Sequence, residues 1–148
     1  MKNFTEYVLG FRFSPDFRKI VLIRKARPKF QAGKLNAVGG HVEEGESHLL
    51  AMPREFWEET SVKTQQSDWY NFGDAISQKS QFKIHLSSSV GDIDNCKTNT
   101  DEVIEIHLVD EILRNRDDAM GNLFWLTGVA LDSFRDRGPK KIHINYDE

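Results

Sequence analysis

Apolar and polar residues alternate in several short stretches of the chain, and apolar residues recur at three- and four-residue spacing in two longer ones. Alternation is typical of strands that bury one face, and the wider spacing is typical of amphipathic helices. The patterns predict strands over residues 6–13, 19–25, 69–77, 82–88, 102–109 and 141–146, and helices over residues 47–60 and 118–135.

Turn-forming residues separate these elements. Ser14-Pro15-Asp16 lies between the first two predicted strands, which favours a tight connection and an antiparallel pair. Residues 27–34 contain Pro28 and Gly33 and are predicted to form a loop, as is the polar stretch over residues 90–100. The first loop leads through residues 35–38 to the double glycine Gly39-Gly40, and we expect this loop to contact a ligand.

Composition excludes several classes of protein. We expect one domain over residues 1–148, large enough to bury roughly 68–70% of its unfolded surface. A formal charge of −3 and a pI near 6.0 make nucleic acid an unlikely partner. Cys96 has no second cysteine to pair with, and neither a signal peptide nor an apolar run of about 18 residues is found. We therefore expect a cytoplasmic protein without a membrane segment.

Three glutamates are predicted to share one face of the first helix. At 100° per residue, Glu59 lies about 40° to one side of Glu55, and Glu58 lies about 60° to the other. Carboxylates this close repel each other, which costs a few tenths of a kcal/mol for each pair three or four residues apart. The pattern therefore predicts a cation among them, and hard divalent ions prefer such oxygen ligands.

The alternative is a solvated acidic face on a surface helix. Arg54 argues against it, because its planar guanidinium lies beside the acids and can hold a carboxylate through two hydrogen bonds. Gly39-Gly40 upstream allows close backbone approach. The helix also carries apolar residues, namely Leu49, Leu50, Met52, Phe56 and Trp57.

The spacing of these residues resembles the signature of the Nudix (MutT-like) hydrolases. Eight of nine fixed positions match, namely Gly40, Glu46, Arg54, Glu55, Phe56, Glu58, Glu59 and Val62. The resemblance implies an α/β fold of the Nudix type, an α/β/α sandwich with a mixed sheet in a single domain. Ser61 departs from the pattern, which has Gly there, and a modest loss of stability is expected. Pro53 also departs from a regular helix, and predicts a kink or a late helix start.

The resemblance implies hydrolysis of a phosphoanhydride with Mg²⁺ or Mn²⁺ as cofactor. Such a linkage repels an incoming nucleophile, so catalysis needs cations, a positioned water and a base. The implied roles are metal ligands at Glu58, Glu59 and the Gly39 carbonyl, with Glu55 as ligand, base or both. Arg54 is implied to orient the carboxylates, and Glu46 to form hydrogen bonds near the turn.

A fourth carboxylate ligand is expected from beyond the helix. Glu102 fits the family position best, with Asp101 and Glu105 as alternatives. The alternative for Glu102 is a structural charge at a strand edge.

Residues 33–40 resemble the loop of Nudix enzymes that remove oxidised purine nucleotides. Asn36 lies where that loop carries an Asn that binds the base, although it could instead shape a turn. Asn122 opens a segment similar to the helix that lines the base pocket, or could be the helix N-cap. Gly40 and His41 are further candidates for substrate contact, with His41 beside a phosphate.

Of the aromatic residues, Trp57 and Trp125 are expected to be packed, and Trp69 and Phe30 to serve at the surface or in a pocket.

Two functions remain open. One is a pyrophosphohydrolase that converts a nucleoside triphosphate, oxidised or unmodified, to the monophosphate and pyrophosphate. The other is a sensor that binds a nucleotide or an ADP-ribose-like ligand without turning it over. Among hydrolases, ADP-ribose and dinucleoside polyphosphates stay open as substrates, and the oligomeric state is not indicated by the sequence.

Overall fold

The computed structural model describes residues 3–114, 117–137 and 141–147, so the ends of the predicted domain and residues 115, 116 and 138–140 lie outside the described residues. The described chain contains helices α1 (His48–Thr60), α2 (Val109–Arg114) and α3 (Leu123–Arg135), and a 3₁₀ turn at Gln66–Asp68. Its strands are β1 (Thr5–Phe13), β2 (Lys19–Arg24), β3 (Leu35–Asn36), β4 (Val38–His41), β5 (Tyr70–Ser77), β6 (Phe82–Val90), β7 (Val103–Leu108) and β8 (Ile142–Asn145). None of these helices is long and apolar enough to cross a bilayer.

The strands of the described residues form one mixed sheet, with β1 near its centre. Strand β1 pairs in parallel with β6 and antiparallel with β2 and β4. Strand β5 then extends the sheet antiparallel to β6 and parallel to β8. On the other side, β2 pairs antiparallel with both β3 and β7. The predicted antiparallel pairing of the first two strands is confirmed.

Both faces of the sheet are covered by apolar cores. In β2, Ile20 and Leu22 belong to the core beneath α2 and α3, whereas Val21 and Ile23 belong to the core beneath α1. All four side chains are at most 1% exposed. Successive residues of a strand point to opposite faces, so a strand covered on both sides must be apolar throughout. The predicted α/β/α sandwich with a mixed sheet is therefore confirmed.

Helix α1 begins where the sequence predicts. Ser47 is its N-cap, and the Ser47 side chain accepts a hydrogen bond from the Leu49 N–H at 3.2 Å. The late start predicted from Pro53 is wrong, because the helix begins five residues before Pro53 and continues through it. Packing of buried Met52 and Phe56 against the sheet offsets the backbone hydrogen bond that proline cannot donate.

Ser61 ends α1 in the left-handed conformation. Its φ is 63° and its ψ is 11°, and its N–H donates to the Trp57 carbonyl at 2.9 Å. This is the conformation that glycine adopts without strain at the end of a helix. The serine therefore carries the backbone strain that its departure from the signature predicts.

The sequence patterns did not predict the shortest elements or the exact start of α3. Helix α2 has six residues and directly follows β7, where the predicted strand ran on to residue 109. Helix α3 begins at Leu123 rather than at residue 118, because residues 118–120 are held by β3 instead. The Leu35 N–H donates to the Asp118 carbonyl and the Met120 N–H donates to the Leu35 carbonyl, both at 2.9 Å. Backbone groups engaged in this way are not available to a helix.

Trp57 is 47% exposed, although it is expected to be packed. Trp69 is half-buried: one side packs against the α1-side core, edge-on to Phe56 with ring centroids 5.3 Å apart, and the side chain also lines a surface pocket with Leu49 and residues 65–67, in agreement with the expected pocket position. Its indole N–H donates to the Thr64 hydroxyl at 2.8 Å, which satisfies the polar end of the side chain.

Replacing Ser61 with glycine should stabilise the protein. Because Ser61 is exposed and left-handed, Ser61→Gly removes strain without opening a cavity, and the free energy of unfolding should rise by about 1 kcal/mol. Urea denaturation monitored by circular dichroism measures this change. Ser61→Ala is the control, since it keeps the Cβ and should stay within about 0.5 kcal/mol of the wild type. A glycine variant no more stable than the alanine variant would contradict the assignment of strain.

Candidate active site

The candidate site lies where the C-terminal half of α1 crosses the two glycines of β4. A Cβ atom added to Gly40 would overlap the carboxyl group of Glu55, and one added to Gly39 would overlap the backbone carbonyl of Val8. Gly39 is opposite Leu9 in the pairing of β1 with β4. The two glycines thus serve different contacts: Gly39 lets two strands approach, and Gly40 gives room to the Glu55 carboxylate.

Arg54 forms the centre of a hydrogen-bond network. Its Nε and Nη2 donate to the two carboxylate oxygens of Glu46 at 2.7 and 2.8 Å, which is a bidentate pair. Its Nη1 donates to Glu55 at 3.0 Å and to Glu58 at 3.2 Å, and Nη2 also donates to the His41 carbonyl at 2.9 Å. One guanidinium therefore holds three carboxylates and ties α1 to the end of β4. Its hydrogen bonds lower the pKa of Glu46.

Glu55 is the most perturbed carboxylate of this network. Its side chain is only 11% exposed, and burial raises its pKa to about 7. The hydrogen bond from Arg54 acts in the opposite direction, while the charges of Glu58 and Glu59 raise the pKa further. A carboxylate with a pKa near 7 can both accept and release a proton at neutral pH, which is what a general base requires.

Glu59 and Glu102 approach each other from different elements. Burial raises the pKa of Glu59, and the charge of Glu102 raises it further. The Thr100 hydroxyl donates to Glu59 Oε2 at 2.9 Å. Glu102 is 6% exposed, and its two oxygens accept from Lys25 Nζ at 3.0 Å and from the Ala26 N–H at 2.7 Å. Glu102 is therefore buried and fully engaged, which is not the behaviour of a charge at an exposed strand edge.

The two alternatives to Glu102 lie elsewhere. Glu105 is opposite Leu22 in the pairing of β2 with β7, so its side chain points to the face covered by α2 and α3, away from α1. Its carboxylate forms a bidentate pair with Arg24 at 2.7 and 2.8 Å. Asp101 forms an exposed ion pair with Arg27. Of the three candidates, Glu102 is the one whose carboxylate is buried beside the site.

The donor chemistry of the site fits a hard divalent cation, although the carboxylates do not converge. In the described ranges of the chain, no three His, Cys, Asp or Glu side chains are arranged to hold an ion. The glutamates are instead bonded to Arg54, Thr100 and Lys25. Burial of two like-charged carboxylates is nevertheless unfavourable, and a cation would offset that cost. Binding an ion would require these side chains to leave their present partners.

The predicted substrate-binding residues occupy several positions around this cluster. Asn36 lies opposite Ile23, which belongs to the α1-side core, so its side chain shares the face of α1. Its Oδ1 accepts from the next backbone N–H, that of Ala37, at 2.9 Å, so Asn36 does shape the local backbone. His41 is exposed, and its ring centroid lies 4.5 Å from that of Tyr7.

Asn122 immediately precedes α3, but its side chain does not cap the helix. Its Oδ1 accepts from the indole N–H of Trp125 at 3.2 Å, and its Nδ2 donates to the hydroxyl of Tyr146. Asn122 is therefore the N-cap residue of α3 by position, as one of its two predicted roles requires, but its side chain forms no capping hydrogen bond. The pairing of Leu35 with Ala119 places the segment just before Asn122 beside β3, and Asn36 of that strand points to the opposite face of the sheet from Leu35.

No pattern in the sequence indicated Lys25 or Thr100 as part of this site. Each contacts a glutamate far away in sequence: Lys25 and Glu102 are 77 positions apart, and Glu59 and Thr100 are 41 positions apart. Lys25 closes a predicted strand, and Thr100 lies in a polar loop, where neither spacing nor periodicity sets it apart.

The sequence matches the NUDIX domain family over residues 5–124. The chain belongs to this family. Nudix hydrolases generally need divalent metal ions. The search of curated proteins found no match.

Solved structures confirm the Nudix fold at low sequence identity. The NUDIX domain of Shewanella oneidensis NrtR, complexed with ADP ribose, is 15% identical with a TM-score of 0.74, covering 90% of each chain. A NUDIX hydrolase from Nitrosomonas europaea is 14% identical with a TM-score of 0.75, covering 100% of this chain and 81% of that one. MutT protein from Methanosarcina mazei Go1 is 19% identical with a TM-score of 0.67, covering 91% and 98%.

Glu55 should destabilise the metal-free Nudix fold at neutral and higher pH. Because the folded state raises the pKa of Glu55 from 4.5 to about 7, the folded protein binds a proton between these values that the unfolded chain releases. Its contribution to stability is thus fully present below pH 4.5 and is lost as the pH rises to 7. With chelator present, Glu55→Gln should exceed the wild type in stability by on the order of 2 kcal/mol at pH 8, and by little at pH 4.5.

Thermal denaturation across this pH range measures the difference. Glu111→Gln, at an exposed position of α2, is the matched control and should track the wild type at every pH. A Glu55→Gln variant less stable than the wild type at pH 8 would show that the carboxylate is not destabilised by its burial.

Proposed function

We propose that this Nudix protein catalyses metal-dependent hydrolysis of a phosphoanhydride bond in a nucleoside diphosphate-linked compound. The substrate we favour is a nucleoside triphosphate, oxidised purine nucleotides included, which would be converted to the monophosphate and pyrophosphate. The observation that carries this proposal is the Glu55 carboxylate, buried over Gly40 with a pKa near 7 and flanked by Glu58 and Glu59. Such a group is expected of a base at a metal site rather than of a structural ion pair.

The proposed division of roles is the one that the Nudix signature implies. Glu58 and Glu59, with the Gly39 carbonyl, would hold Mg²⁺ or Mn²⁺, and Glu102 would supply a further oxygen. When bound, the ion would neutralise phosphate oxygens and acidify water. Glu55 would take the proton of the attacking water, for which its pKa is suited. Arg54 would fix the orientation of the Glu55 carboxylate, because the guanidinium donates a hydrogen bond to Glu55 and is itself held by Glu46.

Recognition of the nucleoside is proposed for residues beside this cluster. The carboxamide of Asn36 offers a donor and an acceptor to a base edge, and it lies on the same face of the sheet as α1. Asn122 would contribute from the start of α3, while Gly40 and the exposed His41 would contact phosphate or sugar at the end of β4.

A sensor that binds an ADP-ribose-like ligand without hydrolysis is the second candidate. Two observations favour it. A structural neighbour, the NrtR domain, was solved with ADP ribose. In addition, both oxygens of Glu102 are engaged by protein groups, and no metal-holding set converges in the described part of the chain.

Hydrolysis assays with Mg²⁺ present or absent separate the two candidates. An enzyme should hydrolyse at least one of a panel of nucleoside triphosphates, ADP-ribose and dinucleoside polyphosphates, and only with metal.

Glu58→Gln should lower the turnover by about 100-fold or more, because a charged ligand is lost. The Glu58 side chain is half-exposed, so the Glu58→Gln variant should still fold. Glu111→Gln is the control and should keep full activity. A wild-type protein that binds a nucleotide but hydrolyses none of the panel would support the sensor.

Asn36→Ala should change discrimination between bases more than it changes turnover. Because the proposed contact is to the base and not to the diphosphate, kcat/KM should converge across nucleoside triphosphates that differ only in the base. The ratio of kcat/KM between the best substrate and its competitors is the measurement. Equal losses on every substrate would contradict a base-reading role and would point to the Ala37 backbone contact instead.

A further inference from the structure

We propose that Thr100 is a positioning residue that fixes Glu59 relative to Glu102, so that two carboxylates from different elements can share one metal ion. This inference rests on the proposed function, since it takes both glutamates as metal ligands.

The segment that carries Thr100 is docked onto the end of α1. The last carbonyls of a helix lack partners within the helix and must find them elsewhere. The Lys97 N–H donates to the Thr60 carbonyl at 2.8 Å, and the Asn99 side chain donates to the Glu58 carbonyl at 2.9 Å. The segment over residues 97–102 is therefore held beside the carboxylate-bearing turn of the helix.

The Thr100 hydroxyl bridges the two glutamates. It donates to Glu59 Oε2 at 2.9 Å and accepts from the Glu102 N–H at 3.1 Å. A hydroxyl can donate and accept at the same time, so one atom fixes both a carboxylate on α1 and the backbone that carries the second carboxylate. Valine has the same shape but can do neither.

Electrostatics explains why such a bridge is needed. Thr100 contacts both glutamates, Glu59 through its carboxylate and Glu102 through its backbone N–H, so two side chains of like charge are held in one part of the site and repel each other. A bond from a neutral hydroxyl restrains the Glu59 carboxylate without cancelling its charge, which stays available to a cation. Thr100 itself is exposed, so it contributes little to the core and its contacts go to the glutamates.

Thr98 provides a matched control in the same segment. Its hydroxyl accepts from the Ile104 N–H at 3.0 Å and so stabilises the segment in a similar way, from the backbone at the start of β7. Both threonines are exposed, and both can be replaced by valine at constant shape. If the two hydroxyls only keep the loop ordered, both valine variants should lose metal affinity. If the Thr100 hydroxyl holds Glu59, only the Thr100→Val variant should lose it.

Binding of Mn²⁺ without substrate, followed by electron paramagnetic resonance, tests the proposal independently of turnover. Thr100→Val should raise the Kd for Mn²⁺ by about 10-fold, which is the usual cost of removing a group that orients a metal ligand. Thr100→Ser, which keeps the hydroxyl, and Thr98→Val should each stay within about twofold of the wild type. In kinetics, the metal concentration for half-maximal rate should rise for Thr100→Val while KM for substrate holds.

The outcomes separate this inference from the proposed function. Equal weakening in Thr98→Val and Thr100→Val, or wild-type Mn²⁺ affinity in Thr100→Val, would overturn the positioning role while the wild-type enzyme still hydrolyses its substrate. A wild-type protein that neither binds Mn²⁺ nor hydrolyses any substrate would overturn the proposed function itself, and the positioning role with it.

Discussion

The contact of the Arg54 guanidinium with three glutamates is the interaction on which the site depends. Glu46 lies in the turn before α1, and Glu55 and Glu58 lie on the helix, so one side chain fixes the helix against the turn and against the end of β4. Without a cation among them these carboxylates would repel, and the buried one would be uncompensated. Arginine suits this position better than lysine, because its planar fork can hold several oxygens at once.

Helix α1 and its C-cap combine several unfavourable features. Glu55 and Glu59 are disfavoured as charged groups, Pro53 removes a backbone bond, and Ser61 holds a left-handed conformation. The helix survives because its opposite face packs into the core through Ala51, Met52 and Phe56, which are at most 1% exposed. The apolar face of the helix therefore stabilises the protein, whereas the opposite face carries the residues of the candidate site. The functional residues destabilise the fold, and packing of the apolar face compensates for this loss.

The parts of this structure that could be predicted are those set by local spacing. Helical periodicity placed Glu55, Glu58 and Glu59 on one face, and alternation found the long strands. Elements of two to six residues, such as β3 and α2, are too short to show a period. Contacts between distant loops carry no local signal either, which is why the partners of Glu59 and Glu102 emerge only from the tertiary structure.

Glu102 shows how the site could exchange one charge for another. In the present arrangement Lys25 neutralises it, and removing a partner from a buried pair costs several kcal/mol unless another cation replaces it. A divalent ion between Glu102 and Glu59 would replace one positive charge with two and would also relieve the repulsion between the two carboxylates. Thr100 restrains the Glu59 carboxylate and the backbone of Glu102, so both glutamates would be positioned to hold such an ion once Lys25 no longer occupies Glu102.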